Sequence, residues 1–169
     1  MPGSQIAYTF TRTAWGVWRT YTHPDGRMFR EYQTRWKVWG LPLIHFTSGK
    51  NPETGRLMVA RGFIAVGRVS VGVIAIGQAA AGVLAFGQAA AGVLFFAQGG
   101  AGLAGVGQVA ITLLCGIGQI ATGYIAVGQV AVGWYALGQV GLGKWVWAMN
   151  RKDGAAVEFF RTLWMWFAG

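Results

Sequence analysis

The sequence predicts an all-β protein built around a β-solenoid, a coil of short strands with about 20 residues per coil. Glycine recurs every five residues from Gly62 to Gly143, except for an alanine at position 97, a threonine at position 112 and one extra residue between Gly107 and Gly118. No charged residue lies between Arg68 and Lys144. A short fixed period is typical of stacked units, because each unit buries its apolar side against its neighbours.

A bundle of membrane-spanning helices is the alternative fold, since a long apolar stretch usually indicates such helices. A glycine at every fifth residue steps by about 140° around a helix, so the glycines do not line one face. Small-residue seams between membrane helices use a spacing of four, and glycine disfavours helix interiors. These three arguments favour the solenoid over the helical bundle.

Each pentad, numbered from its glycine, is expected to bury its third and fifth residues and to expose its second and fourth. Successive side chains of a strand point to opposite faces, so the third and fifth residues share one face and the second and fourth share the other. The second position holds Arg68, Lys144 and every repeat glutamine, which indicates that it faces outward. With four pentads per coil the glutamines form two rows on opposite sides, which we predict to be a self-association surface. These residues are Gln78, Gln88, Gln98, Gln108, Gln119, Gln129 and Gln139.

The flanking segments predict a cap at each end of the repeat. Alternating strands over residues 5–22 and 27–39, joined by a turn at His23-Pro24-Asp25-Gly26, predict a basic, aromatic β cap over residues 1–40. Residues 41–61 are a lead-in coil, 62–147 the solenoid and 148–169 an amphipathic helix. Asp153 is the expected N-cap residue of that helix.

Residues 40–66 carry a resemblance to known sequences. The stretch Gly-Leu-Pro-Leu-Ile-His, the turn Pro-Glu-Thr-Gly-Arg and the Gly-x-Ile-Ala-x-Gly repeats that follow resemble a family of uncharacterised bacterial proteins. The resemblance extends over about residues 33–143 and implies an architecture similar to pentapeptide-repeat β-helices. The family brings no known activity.

The net charge of +9 is concentrated outside the repeat, with eight basic and three acidic residues in positions 1–60. Such a balance predicts anionic lipid headgroups or nucleic acid as partners, and the neighbouring apolar repeat favours lipid. The predicted headgroup-binding residues are Arg12, Arg19, Arg27, Arg30, Arg35, Lys37, Arg151 and Lys152.

Aromatic residues flank the repeat on both sides, as expected of an element embedded between two membrane interfaces. The predicted lipid-interface residues are Trp15, Trp18, Trp36, Trp39, Tyr124, Trp134, Trp145, Trp147, Trp164 and Trp166. No cleavable signal peptide is visible, so the cytoplasmic membrane is the expected location and the cytoplasm the alternative.

No catalytic or cofactor-binding pattern emerges. His23 and His45 are expected to lack a nearby carboxylate or second ligand, and to be a turn residue and a core-edge residue. The single cysteine, Cys115, excludes an internal disulfide and is expected to fill a small buried space. The predicted function is therefore that of a non-catalytic, membrane-associated or membrane-embedded structural protein that forms a homo-oligomer or filament, without cofactor, metal or small-molecule substrate. The alternatives are a soluble fibre of solenoids stacked end to end and a basic module that binds nucleic acid or an anionic surface.

Overall fold

The computed structural model describes residues 6–169, most of which lie in strands; the predicted strand over residues 5–22 thus begins outside the described residues. The prediction of an all-β protein with one short C-terminal helix is confirmed. The chain forms two compact units, Met1–Gly87 and Gln88–Gly169. The elements are β1 Thr9–Arg12, β2 Gly16–Thr22, β3 Met28–Thr34, β4 Lys37–Val38, β5 Leu41–Pro42, β6 Ile44–Ser48, β7 Val59–Val66, β8 Val69–Ala148 and α1 Gly154–Ala168.

The first unit begins with an antiparallel sheet that leads into parallel strands. The strand order is β1-β2-β3-β6-β7-β8, antiparallel up to β6 and parallel from β6 onward. The predicted turn between β2 and β3 is present, with Gly26 at φ +79° and its N–H donating to the carbonyl of His23. Residues 27–39 do not form one strand: β3 ends at Thr34, and β4 pairs with β5 in a separate hairpin.

Neighbouring repeats are related by ten residues, so the predicted coil of about 20 residues is wrong for the repeat. Gly62 lies opposite Gly72 and Ile64 opposite Ile74 in the parallel pair of β7 and β8. The same step recurs inside β8, where a methyl group on Gly82 would collide with the carbonyl oxygen of Gly72. Only β6 and β7 pair at a step of twenty residues, with Ile44 opposite Ile64.

The fourth residue of the pentad, and not the third and fifth, is the buried one. Ala75 and Ala126 are fully buried, whereas Ile76 and Leu94 are 42% and 43% exposed. The predicted orientation of these three positions is therefore wrong, and that of the second position is confirmed by the exposure of the glutamines. A ten-residue step leaves room inside for little more than a methyl group, so larger side chains lie outside.

Phe95 is the one large residue in the buried column of the second unit before Val146, and two glycines accommodate it. Its ring occupies the space where side chains of Gly100 and Gly105 would be. Both glycines stand at fourth positions, where neighbouring pentads have alanine. The total volume of the column is thereby conserved, as close packing requires.

The end of β8 is closed by polar side chains from the segment before α1. Asn150 accepts a hydrogen bond from the N–H of Gly141 (3.0 Å) and donates one to its carbonyl (3.1 Å). Arg151 donates to the carbonyls of Gly143 (3.2 Å) and Lys144 (3.1 Å). Asp153 is the N-cap residue of α1, as predicted, but its side chain makes no capping hydrogen bond and instead accepts one from the N–H of Val146 (2.9 Å). Its carboxylate is used to cover the backbone edge of the repeat.

Candidate assembly and membrane-contact surfaces

The repeat glutamines of the second unit form one exposed row. Gly118 lies against the backbone of Gln108, Gly128 against that of Gln119 and Gly138 against that of Gln129. Successive glutamine pentads therefore stack on one another, and the predicted pair of rows on opposite sides is wrong. Within the described residues, none of the repeat glutamine amides bonds to another protein group. We call these six residues the glutamine surface: Gln88, Gln98, Gln108, Gln119, Gln129 and Gln139.

The pentads between the glutamine pentads of the second unit expose large apolar side chains without a charge until Lys144. Leu113 is 74% exposed and Leu114 53%, at the place where the extra residue enters the repeat. Thr112 anchors this irregular stretch by donating its N–H to the hydroxyl of Thr122 (3.2 Å) and its own hydroxyl to the Thr122 carbonyl. We call the following residues the apolar surface: Val93, Leu94, Leu103, Val106, Leu113, Leu114, Ile117, Tyr124 and Trp134.

The ten-residue step also brings side chains together at the end of the apolar surface. The rings of Tyr124 and Trp134 are stacked, with centroids 6.1 Å apart and planes 14° from parallel. The ammonium of Lys144 lies 4.4 Å from the centre of the Trp134 ring. Two aromatic rings and a cation thus form a column, an arrangement suited to the headgroup level of a bilayer.

A second group of exposed tryptophans lies in the first unit. Trp39 occupies the tip of the β4–β5 hairpin at φ +50°, next to Gly40 at φ +79°. Two successive residues in the left-handed backbone conformation are typical of a tight two-residue hairpin turn, although a tryptophan is rare there. Trp39 is 87% exposed, and the exposed Trp15 and Trp36 rings pack edge to face with centroids 5.2 Å apart. We call these three residues and the β4–β5 turn the tryptophan hairpin.

Helix α1 packs by its first half and exposes its second half. Phe159 stacks on Tyr135 at 4.1 Å between ring centroids, and Ala156 and Phe160 are buried. The last turns expose four large apolar side chains, which we call the helix tip: Trp164, Met165, Trp166 and Phe167. Of the remaining predicted interface residues, Trp18, Trp145 and Trp147 are half-buried.

The predicted headgroup-binding residues differ in whether their charges are already paired within the protein. Arg12, Arg30, Arg35, Lys37 and Lys152 are exposed, and Arg35 and Lys37 flank Trp36 of the tryptophan hairpin. Arg27 pairs weakly with Asp25 at 3.4 Å. Arg151 is committed to Asp153 and to the end of β8. Arg19 is neutralised by Glu31 at 2.6 Å, which removes its charge from any headgroup site.

The pairing of Arg19 belongs to a buried polar cluster that the sequence did not reveal. Glu31, 5% exposed, accepts hydrogen bonds from Arg19 (2.6 Å), Gln33 (2.9 Å) and His45 (3.1 Å). The other ring nitrogen of His45 accepts the N–H of Arg61 at 2.8 Å. The interpretation that His45 has no carboxylate nearby is therefore wrong. The alternation of side chains along β2, β3 and β6 was the available signal, because paired strands place polar residues from all three on the same face of the sheet.

The protonation of the cluster follows from its surroundings. Burial raises the pKa of Glu31, but the hydrogen bond from His45, the charge of Arg19 and the hydrogen bond from Gln33 together hold this pKa below its usual value. Glu31 is thus ionised and fully bonded, which suits a structural role. Cys115 is half-buried, and burial raises the pKa of its thiol.

No family model matches the chain, and no curated protein or solved structure matches it either. The resemblance over residues 33–143 stays a prediction. None of the described helices combines the length and apolarity needed to cross a bilayer. Residues 6–169 contain no group of three or more His, Cys, Asp and Glu side chains placed to hold a metal ion. The chain is an all-β protein with a sequence repeat and with exposed apolar and aromatic surfaces.

Proposed function

We propose that the chain is a non-catalytic structural protein whose repeat is a two-sided β-solenoid of ten-residue coils and which attaches to membranes and to itself. The observation that carries the proposal is the apolar surface, where leucine and valine are exposed over successive repeats without a charged neighbour. Soluble monomers rarely expose a continuous apolar patch of this kind. Such a surface needs lipid or protein against it.

The ten-residue step supports the two-sided coil. Two pentads make up one step, so alternate pentads fall on the same side. One side then carries the glutamine surface and the other the apolar surface. Buried alanines allow the two sides to approach closely, and the glycines allow each coil to stack tightly on the previous one.

Lipid is the proposed partner of the apolar surface because other exposed groups have the composition of a membrane interface. The tryptophan hairpin has Arg35 and Lys37 beside it, and the helix tip has Arg161 one turn before it. Tryptophan prefers the headgroup level, and each basic residue near an anionic surface contributes about 1 kcal/mol. A fibre of solenoids stacked end to end is disfavoured, since Asn150, Arg151 and Asp153 already occupy the last backbone groups.

Self-association is assigned to the glutamine surface. Its amides lack protein partners in the described residues, and a second copy that presents the same row could satisfy them. Near lipid, an amide contact between protein segments contributes about 0.6–2 kcal/mol. A two-fold arrangement of two rows would give a dimer, with the same surface used by both copies.

The membrane proposal is tested by flotation with neutral and anionic vesicles. We expect the wild-type protein to float with both, and high salt to leave the neutral-vesicle fraction unchanged. The triple variant Leu103→Ser, Leu113→Ser, Leu114→Ser should lose most of this binding while keeping a β-type circular dichroism spectrum. The matched control is Val109→Ser, Ile120→Ser, Val140→Ser, which removes similar side chains from the glutamine pentads and should still float. Release by salt alone would instead indicate a basic surface-binding module.

The self-association proposal is tested by particle size in mild detergent. Changing Gln108, Gln119 and Gln129 together to alanine should reduce the particle to a monomer in analytical ultracentrifugation. Unchanged particles from this folded variant would overturn the assignment of the contact to the glutamine surface.

A further inference from the structure

We propose that a cavity in the first unit binds a phosphate group. The cavity has a volume of about 320 Å³ and lies where the β2–β3 turn, the loop after β6 and the corner between β7 and β8 meet. This volume is at the lower end of small-ligand sites. Its lining residues are His23, Asp25, Arg27, Met28, Ser48, Gly49, Lys50 and Arg68.

Three cations reach the cavity from three separate segments. Arg27, Lys50 and Arg68 stand against the single carboxylate of Asp25, which leaves a net charge of +2 without His23. Asp25 lies 3.4 Å from Arg27, and this exposed pair is weak. Among residues 6–169, no carboxylate pairs with Lys50 or Arg68. Two cations are therefore available to an anion.

The backbone around the cavity is fixed before any ligand arrives. His23 donates from Nε2 to the carbonyl of Lys50 at 3.0 Å, which ties the β2–β3 turn to the loop after β6. Gly49 has φ +86°, and a side chain there would collide with the carbonyl of Met28. The carbonyl of Arg68 accepts the N–H of Ala79 at 2.9 Å, which holds this corner in place. Only side chains need to reorganise on binding, which lowers the entropic cost.

Phosphate is the anion that fits this set of groups. Guanidinium groups bind phosphate oxygens through two parallel hydrogen bonds, and lysine adds a point charge. Ser48, which carries a hydroxyl group, also lines the cavity. A phosphate monoester, with up to two negative charges, matches the net charge of +2 better than a single carboxylate does. The source is a soluble phosphate compound or a lipid with a terminal phosphate, such as phosphatidic acid.

The test uses inorganic phosphate in calorimetry and, separately, vesicles of phosphatidylcholine with a minor fraction of either phosphatidic acid or phosphatidylglycerol. The variant Lys50→Gln, Arg68→Gln should weaken phosphate binding at least tenfold. The control Arg56→Gln, Arg61→Gln removes the same charge from exposed sites outside the cavity and should change phosphate binding less than twofold. Equal thermal stability of both variants establishes that the fold is intact.

The vesicles distinguish the two sources. A preference for phosphatidic acid over phosphatidylglycerol that disappears in the cavity variant assigns the site to a lipid headgroup, whereas phosphate binding without this preference assigns it to a soluble compound. The proposal would be overturned if the cavity variant and the control lost phosphate affinity equally. It would also be overturned if the wild-type protein bound neither inorganic phosphate nor the phosphatidic acid vesicles. This inference does not rest on the proposed membrane attachment, because flotation with neutral vesicles tests that attachment without any phosphate monoester.

Discussion

The antiparallel sheet of the first unit and the buried column of the second unit are stabilised in opposite ways. In the sheet, a charged group lies at the centre: Glu31 is surrounded by Arg19, Gln33 and His45, with the fully buried Phe29 nearby on the same strand. In the column, the buried positions are alanine and glycine with few exceptions, and charges are absent. The sheet depends on directed hydrogen bonds, whereas the repeat depends on how closely backbones approach.

This difference decides where large apolar residues lie. The sheet has room for a buried phenylalanine, because its strands support a thicker core. The repeat has room for methyl groups, so leucine and valine are placed outside, where they become available for contacts. An exposed apolar surface is thus a consequence of the narrow buried column.

Among substitutions that shorten a side chain, Phe95→Ala should have the largest effect on stability, because Phe95 is the one phenylalanine that the narrow column holds. We expect a loss of about 3–5 kcal/mol in the free energy of unfolding. Adding Gly100→Ala and Gly105→Ala should restore most of it, since the two new methyl groups refill the space of the ring. Gly105→Ala alone should destabilise by collision with Phe95. Chemical denaturation measures the free energy of unfolding of the three variants. A triple variant no more stable than Phe95→Ala would contradict a buried column with room for little more than methyl groups.

Glu31→Gln tests the directed bonding of the sheet and should cost about 1.5–3 kcal/mol at pH 7, the usual contribution of hydrogen bonds to a charged group. The folded pKa of Glu31 lies below the ordinary value of a glutamate side chain. Its stabilising contribution is therefore complete above this value and is lost as the pH falls through the folded pKa. Thermal melts between neutral and acid pH should show this loss in the wild-type protein and a smaller one in the variant. Parallel pH profiles for the two proteins would contradict the assigned role.

The two regions were not equally predictable from the sequence. Periodic glycine and the segment after Asp153 predicted the all-β fold and the C-terminal helix, because both depend on local preferences. The ten-residue step and the buried position depend on how closely the backbone packs across the buried column, which a five-residue pattern does not contain. The recurrence of glutamine every ten residues from Gln78 to Gln108 was the available sign of the smaller coil. The Glu31 cluster joins residues 12 and 14 positions apart through strand register and could not be found from spacing alone.

Asn150→Ala should have a smaller effect, because it removes the two hydrogen bonds that cover the Gly141 backbone at an end that water can reach. A loss of about 1 kcal/mol is expected, and amide exchange at Gly141 should accelerate. The neighbouring exposed Lys152→Ala is the control and should leave both quantities unchanged. Equal behaviour of the two variants would mean that Asn150 does not protect the end of the repeat.

Gln108→Lys should have the smallest effect on the fold, within about 0.5 kcal/mol, since surface substitutions without partners are nearly neutral. The comparison is with Ala110→Lys in the same pentad, whose buried position would receive an uncompensated charge and should not fold. Circular dichroism and denaturant titration measure both. Similar stabilities of the two variants would contradict the assignment of the second position as exposed and the fourth as buried.

The most direct test of the account is the accessibility of spin labels at Leu103 and Gln108 in a Cys115→Ala background on lipid vesicles. Both residues are exposed and stand at second positions of adjacent pentads. If alternate pentads face lipid, a label at position 103 should collide more with oxygen than with a water-soluble nickel complex, and a label at position 108 should not. Equal preference for the nickel complex at both positions would contradict an apolar surface that contacts the membrane.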